Sequence, residues 1–367
     1  MRMFNRAFPS PRFLAGAGVA VLAACSGGSS DSPGGPTNPG PTTGSLNVTI
    51  SGLPGEITPS VDVTGPGGYS LNVKGSQTIG SLTPGAYTVT PARTMNVGLA
   101  YTTPTPTISA QVTAGGSVSA AVNYALRINA RSTANRTDEN TLSKYRIMYV
   151  LPSDGVDRNL DTDGTLVRSI SSWERWYATQ TNGKSLRLDL SDGAPDIVFA
   201  RIAKSDAVMT SYGDFIRDTL EAQLAPTYGS PNTLLLVYYD GGHQSRCGSA
   251  AYPPGLPGIV AAVFLKGLAS SSFPCSANPF AASPTAAPGY IEFVAAHEVL
   301  HLLGIVSPTA PNYSNQHVGN DPTDLMYAGA LPWQPSKLDA TKSNYYNAAS
   351  LPAGIINLLN SPFLVLQ

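Results

Sequence analysis

The chain has 367 residues, with 22 Lys and Arg against 23 Asp and Glu, so its net charge is −1 and only 12% of it is charged. That balance excludes the basic stripe of a nucleic-acid binder and the acidic tail of a charge-driven partner. The length leaves room for two domains with a sizeable core, and 36 Gly and 31 Pro suit a loop-rich, exported chain.

Residues 1–25 read as a targeting segment. Arg2, Arg6 and Arg12 give a positive start, and residues 13–24 form an apolar run too short to be a stable membrane span. The run ends in Leu22-Ala23-Ala24-Cys25, which is similar to the bacterial lipoprotein signal. That resemblance implies cleavage before Cys25, acylation of Cys25 and attachment to a membrane through the N-terminal lipid. The expected location is the bacterial cell envelope, at the outer membrane or cell surface, and Ser26 in place of Asp at the next position favours the outer membrane where the source is Gram-negative. Residues 26–44 hold no large apolar residue and read as a flexible Gly/Pro/Ser linker.

Residues 45–125 read as an all-β accessory domain. Leu46-Asn47-Val48-Thr49-Ile50 and Val61-Asp62-Val63-Thr64 alternate apolar and polar, as strands with one buried face do. Pro66-Gly67-Gly68 and Thr83-Pro84-Gly85 are turn signals, and 112–118 has the pattern of a hairpin. The stretch resembles the small immunoglobulin-like or transthyretin-like sandwiches of bacterial surface proteins. A spacer role is the plain expectation, since it carries no His or Cys.

Residues 126–367 would form the second domain. Strands are expected at 145–151, 186–190, 197–202, 234–239 and 259–265. Leu166, Ile170, Trp173 and Tyr177 recur at helical spacing, predicting an amphipathic helix over 165–180 whose aromatics face a core. Further helices are expected over 212–224 and, capped by Ser336, to about 349. Asp157 to Gly164 resembles a calcium loop, but Ile170 stands where the bidentate Glu belongs, so the pattern favours a solvated acidic turn over Ca²⁺. With Cys25 given to lipid, Cys247 and Cys275 remain as an even pair in an exported chain, which predicts a disulfide worth roughly 3 kcal/mol. His243, in the turn after Asp240, reads as an exposed loop residue.

The chemistry concentrates in residues 293–304, where His297-Glu298-Val299-Leu300-His301 lies in an apolar helical run. Residues four apart share one helix face, so His297 and His301 can both present imidazole to one Zn²⁺. Glu298, one residue on, can reach a metal-bound water as general base without taking a ligand position. Three ionisable groups in a buried helix are costly unless a metal or partner satisfies them. Gly304 suits a left-handed helix end. A third ligand must come from elsewhere. No Glu follows Gly304, which leaves His317, Asp321, Asp324 and Asp339. His317 is favoured as the only later His, and Asp321 also reads as a turn residue before Pro322.

His297-Glu298-x-x-His301-x-x-Gly304, followed by His317 and by Asp324-Leu325-Met326-Tyr327, resembles the metzincin metallopeptidases. The resemblance implies an α/β (α+β) catalytic domain of metzincin type, one catalytic Zn²⁺, a Met-turn at Met326 beneath the metal, and a protein or peptide substrate. Two departures stand out. Ser307 occupies the place of the usual third His, and Tyr327 adjoins Met326 instead of following two residues later, so no catalytic role is carried over to it. The expectation is a lipid-anchored zinc endopeptidase. Its rival is a surface adhesion or display protein with a structural or inactive zinc site. Zinc-dependent cleavage of a non-peptide amide is a third reading.

Overall fold

The computed structural model describes residues 40–366 except 97, 138–140, 268–274 and 276–279. The targeting segment, Cys25 and most of the linker lie outside the described residues. Strand formation begins at Gly44, inside the expected linker, where β1 (Gly44–Ser51) starts.

Alternating burial builds the N-terminal part. In β1, β2 (Val61–Gly65), β3 (Tyr69–Val73), β4 (Gln77–Leu82), β5 (Gly85–Pro91), β8 (Ile108–Val112) and β9 (Ser117–Asn123) apolar residues face one core and Ser, Thr and Asn face outward. They form two sheets, ordered β4-β1-β9 and β3-β2-β5-β8. The short strands β6 (Thr94–Asn96), β7 (Leu99–Thr102) and β10 (Ala125–Leu126) make a third. The segment 112–118 is not a hairpin. β8 pairs with β5, while β9 runs parallel to β1, so the turn at Gly115, with φ of 71°, carries the chain between sheets. The expected boundary near 125 falls at β10, which pairs back onto β7.

The site rests on a five-stranded sheet ordered β15-β11-β16-β18-β17. β11 (Lys144–Leu151), β15 (Ile197–Arg201), β16 (Thr233–His243) and β18 (Leu256–Gly267) are parallel neighbours, and β17 (Gly248–Tyr252) is an antiparallel edge. The strands read as near-continuous apolar runs because both faces are covered. Met148, Val150, Val237, Ala262 and Phe264 pack with Ile216, Leu220 and Leu224 on one side. Ile147, Tyr149, Leu236, Tyr238 and Val263 belong to the main core on the other, with Leu166, Ile170 and Trp173 of α1 (Thr165–Gln180) and Val294 to Leu300 of α4 (Tyr290–His301).

α1 matches its periodicity. The helix expected at 212–224 instead comprises α2 (Asp206–Ser211), a 3₁₀ turn containing Gly213 at φ 58°, and α3 (Ile216–Tyr228). The strand expected at 186–190 divides into β12 (Lys184–Leu186) and β13 (Leu190–Ser191), the latter paired with β14 (Ala194–Pro195). Among the described residues no α-helix follows Ser336, only a 3₁₀ turn at Leu358–Asn360. Asp339 sits at φ 48°, and its carboxylate accepts backbone N–H bonds from Asn344, Tyr345 and Tyr346, which holds this segment as a turn. The remaining strands are β19 (Tyr313–Ser314), β20 (His317–Val318) and β21 (Leu364–Leu366).

The expected fold class, an α/β metzincin-type domain after a small immunoglobulin-like or transthyretin-like sandwich, is therefore corrected. Among the described residues strand outweighs helix, 36% to 18%, and the strands are distributed over seven sheets. The physical reason lies in what replaces helix: irregular, carboxylate-centred turns after α4 and short strands between α1 and α3. Residues 41–367 form one compact unit, and ion pairs from Arg175 to Glu56 and Arg93 to Asp192 tie the N-terminal sheets to the rest.

Candidate metal centre

α4 carries the motif, and its N-terminus is fixed by one buried carboxylate. Glu292 accepts bonds from Gly289 N at 3.0 Å, Ala281 N at 3.0 Å and Ser169 Oγ at 2.7 Å. It thereby satisfies the N-cap amide, holds the preceding loop and ties α4 to α1. The helix ends as Gly304 turns at φ 73°. A Cβ there would lie 2.7 Å from the Pro253 carbonyl, so glycine is required by space as well as by backbone.

His297 and His301 are 7% and 5% exposed. His317 reaches them from β20, at the far side of the loop that follows Gly304. Each Nδ1 faces a carbonyl oxygen: His297 that of Leu325 at 2.7 Å, His301 that of Ile305 at 2.9 Å, and His317 that of Asn315 at 2.7 Å. A carbonyl only accepts, so Nδ1 is the protonated nitrogen and Nε2 carries a bare lone pair in each neutral ring. The three Nε2 atoms converge: His301 Nε2 is 3.0 Å from that of His297 and 3.1 Å from that of His317. Three lone pairs so placed repel one another unless a cation lies among them. Nitrogens bonded tetrahedrally to Zn²⁺ at ~2.0–2.1 Å are about 3.3 Å apart, so the set fits that ion.

Electrostatics keeps the rings neutral. Burial, helped by His317, pushes His297 down to about 3. Burial and the two other imidazoles hold His301 well below its usual value, and burial also lowers His317. Glu298 is driven the other way, to about 8, by burial, with Arg246 opposing. Its carboxylate is not one of the three clustered ligands. It faces a cleft and lies so close to β17 that a Cβ on Gly248 would stand 2.4 Å from Oε1.

The turn 324–326 joins the two halves of the cluster. Leu325 supplies the carbonyl to His297, and the fully buried Met326 accepts a bond from Val318 N, next to His317, at 2.8 Å. The carboxylates weighed as third ligands have other work. Asp321 binds Thr323 N and Oγ1, Asp324 accepts from Met326 N, Ala340 N and the Tyr345 hydroxyl, and Asp339 centres its own turn. Ser307 accepts from Ile356 N at 2.8 Å. The Tyr327 hydroxyl donates to the Ala330 carbonyl at 3.2 Å.

The cleft has two lobes, about 230 Å³ and about 340 Å³. The first is walled by Tyr290, Val294, Leu331 and Trp333, and the second by Ser249, Ser314, Asn315 and Gln316; Arg246, Gly248 and Glu298 line both. Sequence reading missed Tyr290, although it lies seven residues before His297 and so on the same helix face. It also missed Arg246, Gly248 and Trp333, which nothing local marks.

Cys247 and Cys275 form a disulfide with Cα atoms 5.3 Å apart, and Cys247 lines the aromatic lobe. His243 is not an exposed loop residue. It is 3% exposed, stacks 4.7 Å from Phe264, and its Nδ1 accepts Ser245 N and Arg246 N. In the acidic loop weighed for Ca²⁺, Arg131 pairs with both Asp157 and Asp161, so a guanidinium supplies the positive charge there.

No family model and no curated protein matches the chain. Among solved structures it is similar to a minor pilin of Streptococcus agalactiae, at 14% identity over 25% of this chain and 48% of that one, with a TM-score of 0.21. The TIE protein of Bacillus anthracis matches at 21% identity over 23% of this chain and 16% of the other, with a TM-score of 0.19. OgpA from Akkermansia muciniphila matches at 13% identity over 60% and 66%, with a TM-score of 0.28. The chain thus spans about half of the pilin and about a sixth of the TIE protein, and superpositions this loose establish neither fold nor function.

Proposed function

We propose that the chain is a zinc-dependent endopeptidase, held at the bacterial cell envelope by lipid on Cys25. The observation that carries this reading is the convergence of three proton-free Nε2 atoms beside a buried carboxylate in an open cleft. His297, His301 and His317 would hold the ion. When bound, Zn²⁺ supplies Lewis acidity, which acidifies water and polarises a substrate carbonyl. Glu298 takes the proton from the attacking water and passes it to the departing amine. The carbonyls of Leu325, Ile305 and Asn315 fix the tautomers and ring orientations. Met326 anchors the turn beneath.

This reading rests on the motif and its geometry, not on a fold likeness. A display or adhesion role with purely structural zinc is the rival. The open cleft around Glu298 favours hydrolysis, because a structural site is closed and needs no base. The resemblance at the N-terminus supports the lipid anchor, and among the described residues no helix is long and apolar enough to cross a membrane. In the test, Glu298→Ala retains bound zinc and loses casein hydrolysis. Undiminished hydrolysis by that variant contradicts the mechanism.

A further inference from the structure

Arg246 stands where the two cleft lobes meet. Of the described residues lining either lobe, it is the only Lys or Arg, and Glu298 is the only carboxylate. Its backbone is fixed on both sides. Its amide donates to the Nδ1 of buried His243 at 3.1 Å, and the next residue, Cys247, is disulfide-bonded.

The guanidinium is not committed. Its ion pair with Asp214 spans 3.2 Å between side chains 51% and 62% exposed. Such a pair contributes little and exchanges easily for a better partner. Among the described residues it forms no ion pair with Glu298, although both line the same two lobes. Among the described residues, the lobes on either side offer no second cation, and their one acid, Glu298, forms no ion pair with Arg246. A planar fork of donors at the mouth of a low-dielectric cleft suits a carboxylate, which it can bind through two parallel bonds.

We propose that Arg246 is a specificity-determining residue that selects substrates bearing a carboxylate next to the scissile bond. This rests on the hydrolytic reading above. The carboxylate can belong to an Asp or Glu side chain or to the C-terminus of a short peptide. In the first case the chain is an endopeptidase with acidic preference. In the second it trims peptide ends.

The experiment uses the zinc-loaded full chain and quenched peptides matched in all but one position. One arm compares Asp and Glu with Asn and Gln at each site flanking the cut. The other compares free with amidated C-termini. The wild type is expected to favour one carboxylate form by about tenfold in kcat/KM, a preference that falls steeply with salt. Arg246→Ala should bring that ratio to about one, and Arg246→Glu should invert it towards the uncharged Asn, Gln or amidated peptides, with zinc content unchanged in both. Cleavage without a carboxylate preference, or a preference that survives Arg246→Ala, overturns the inference while leaving the hydrolytic reading standing. If no peptide is cut in a metal-dependent way, the hydrolytic reading fails and this inference falls with it.

Discussion

His317 hangs from a two-residue strand and Glu298 from a buried helix, so the two respond differently to substitution. His317→Ala removes one of three imidazoles and should weaken zinc binding at least 100-fold, measured by competition with a chromogenic chelator; unchanged affinity would exclude it as a ligand. Glu298→Gln should keep the metal and lower kcat by 10²- to 10⁴-fold. Glu298 also sets a pH dependence. Its metal-free pKa, pushed up to about 8 from 4.5 by burial, lies above its unfolded value. Its contribution to stability is therefore fully present below about pH 4.5 and lost as pH rises through about 8. The metal-free chain should lose stability across that window relative to Glu298→Gln, read from urea midpoints at matched pH. Parallel pH profiles for the two proteins would rule this out. At this scale His297, Glu298 and His301 were readable, because the i, i+4 spacing is itself the geometry. Arg246 and Trp333 were not, because they reach the cleft through the loop after β16 and the turn after Met326.

The position of α4 depends on Glu292 and Gly248. Glu292→Ala strips a buried acceptor from Gly289 N, Ala281 N and Ser169 Oγ, and should destabilise the chain by roughly 2–4 kcal/mol. Denaturant unfolding measures this, and a loss under about 0.5 kcal/mol would mean the amides find other partners. Gly248→Ala puts a methyl against Glu298 and should reduce hydrolysis more than zinc content. Elements were legible where one face decides the pattern, as at α1, whose Leu166, Ile170, Trp173 and Tyr177 all reach the core. They were illegible where pairing is remote. Residues 112–118 carry turn chemistry, but only the partners of β8 and β9 in different sheets reveal a crossover. The segment after Ser336 has helix-compatible residues, and only the buried carboxylate of Asp339 shows why it turns.

For the whole molecule, composition and charge bounded the class, and the Cys pair gave the disulfide. The balance of strand and helix was not legible, because it is set by how many short segments find edge partners, and a short apolar run does not announce its partner. The disulfide closes a separation of 28 residues. The Cys247→Ser, Cys275→Ser double variant should lose roughly 3 kcal/mol of stability. Zinc held by His297, His301 and His317 would bind only the folded chain, so chelation should lower the melting temperature and added zinc restore it. The most direct test is zinc K-edge X-ray absorption on the zinc-loaded full chain. Three imidazole nitrogens and one further light atom at ~2.0–2.1 Å are expected. A chain that takes up no zinc, or a first shell with fewer than three imidazoles, would contradict the metal centre on which every functional step depends.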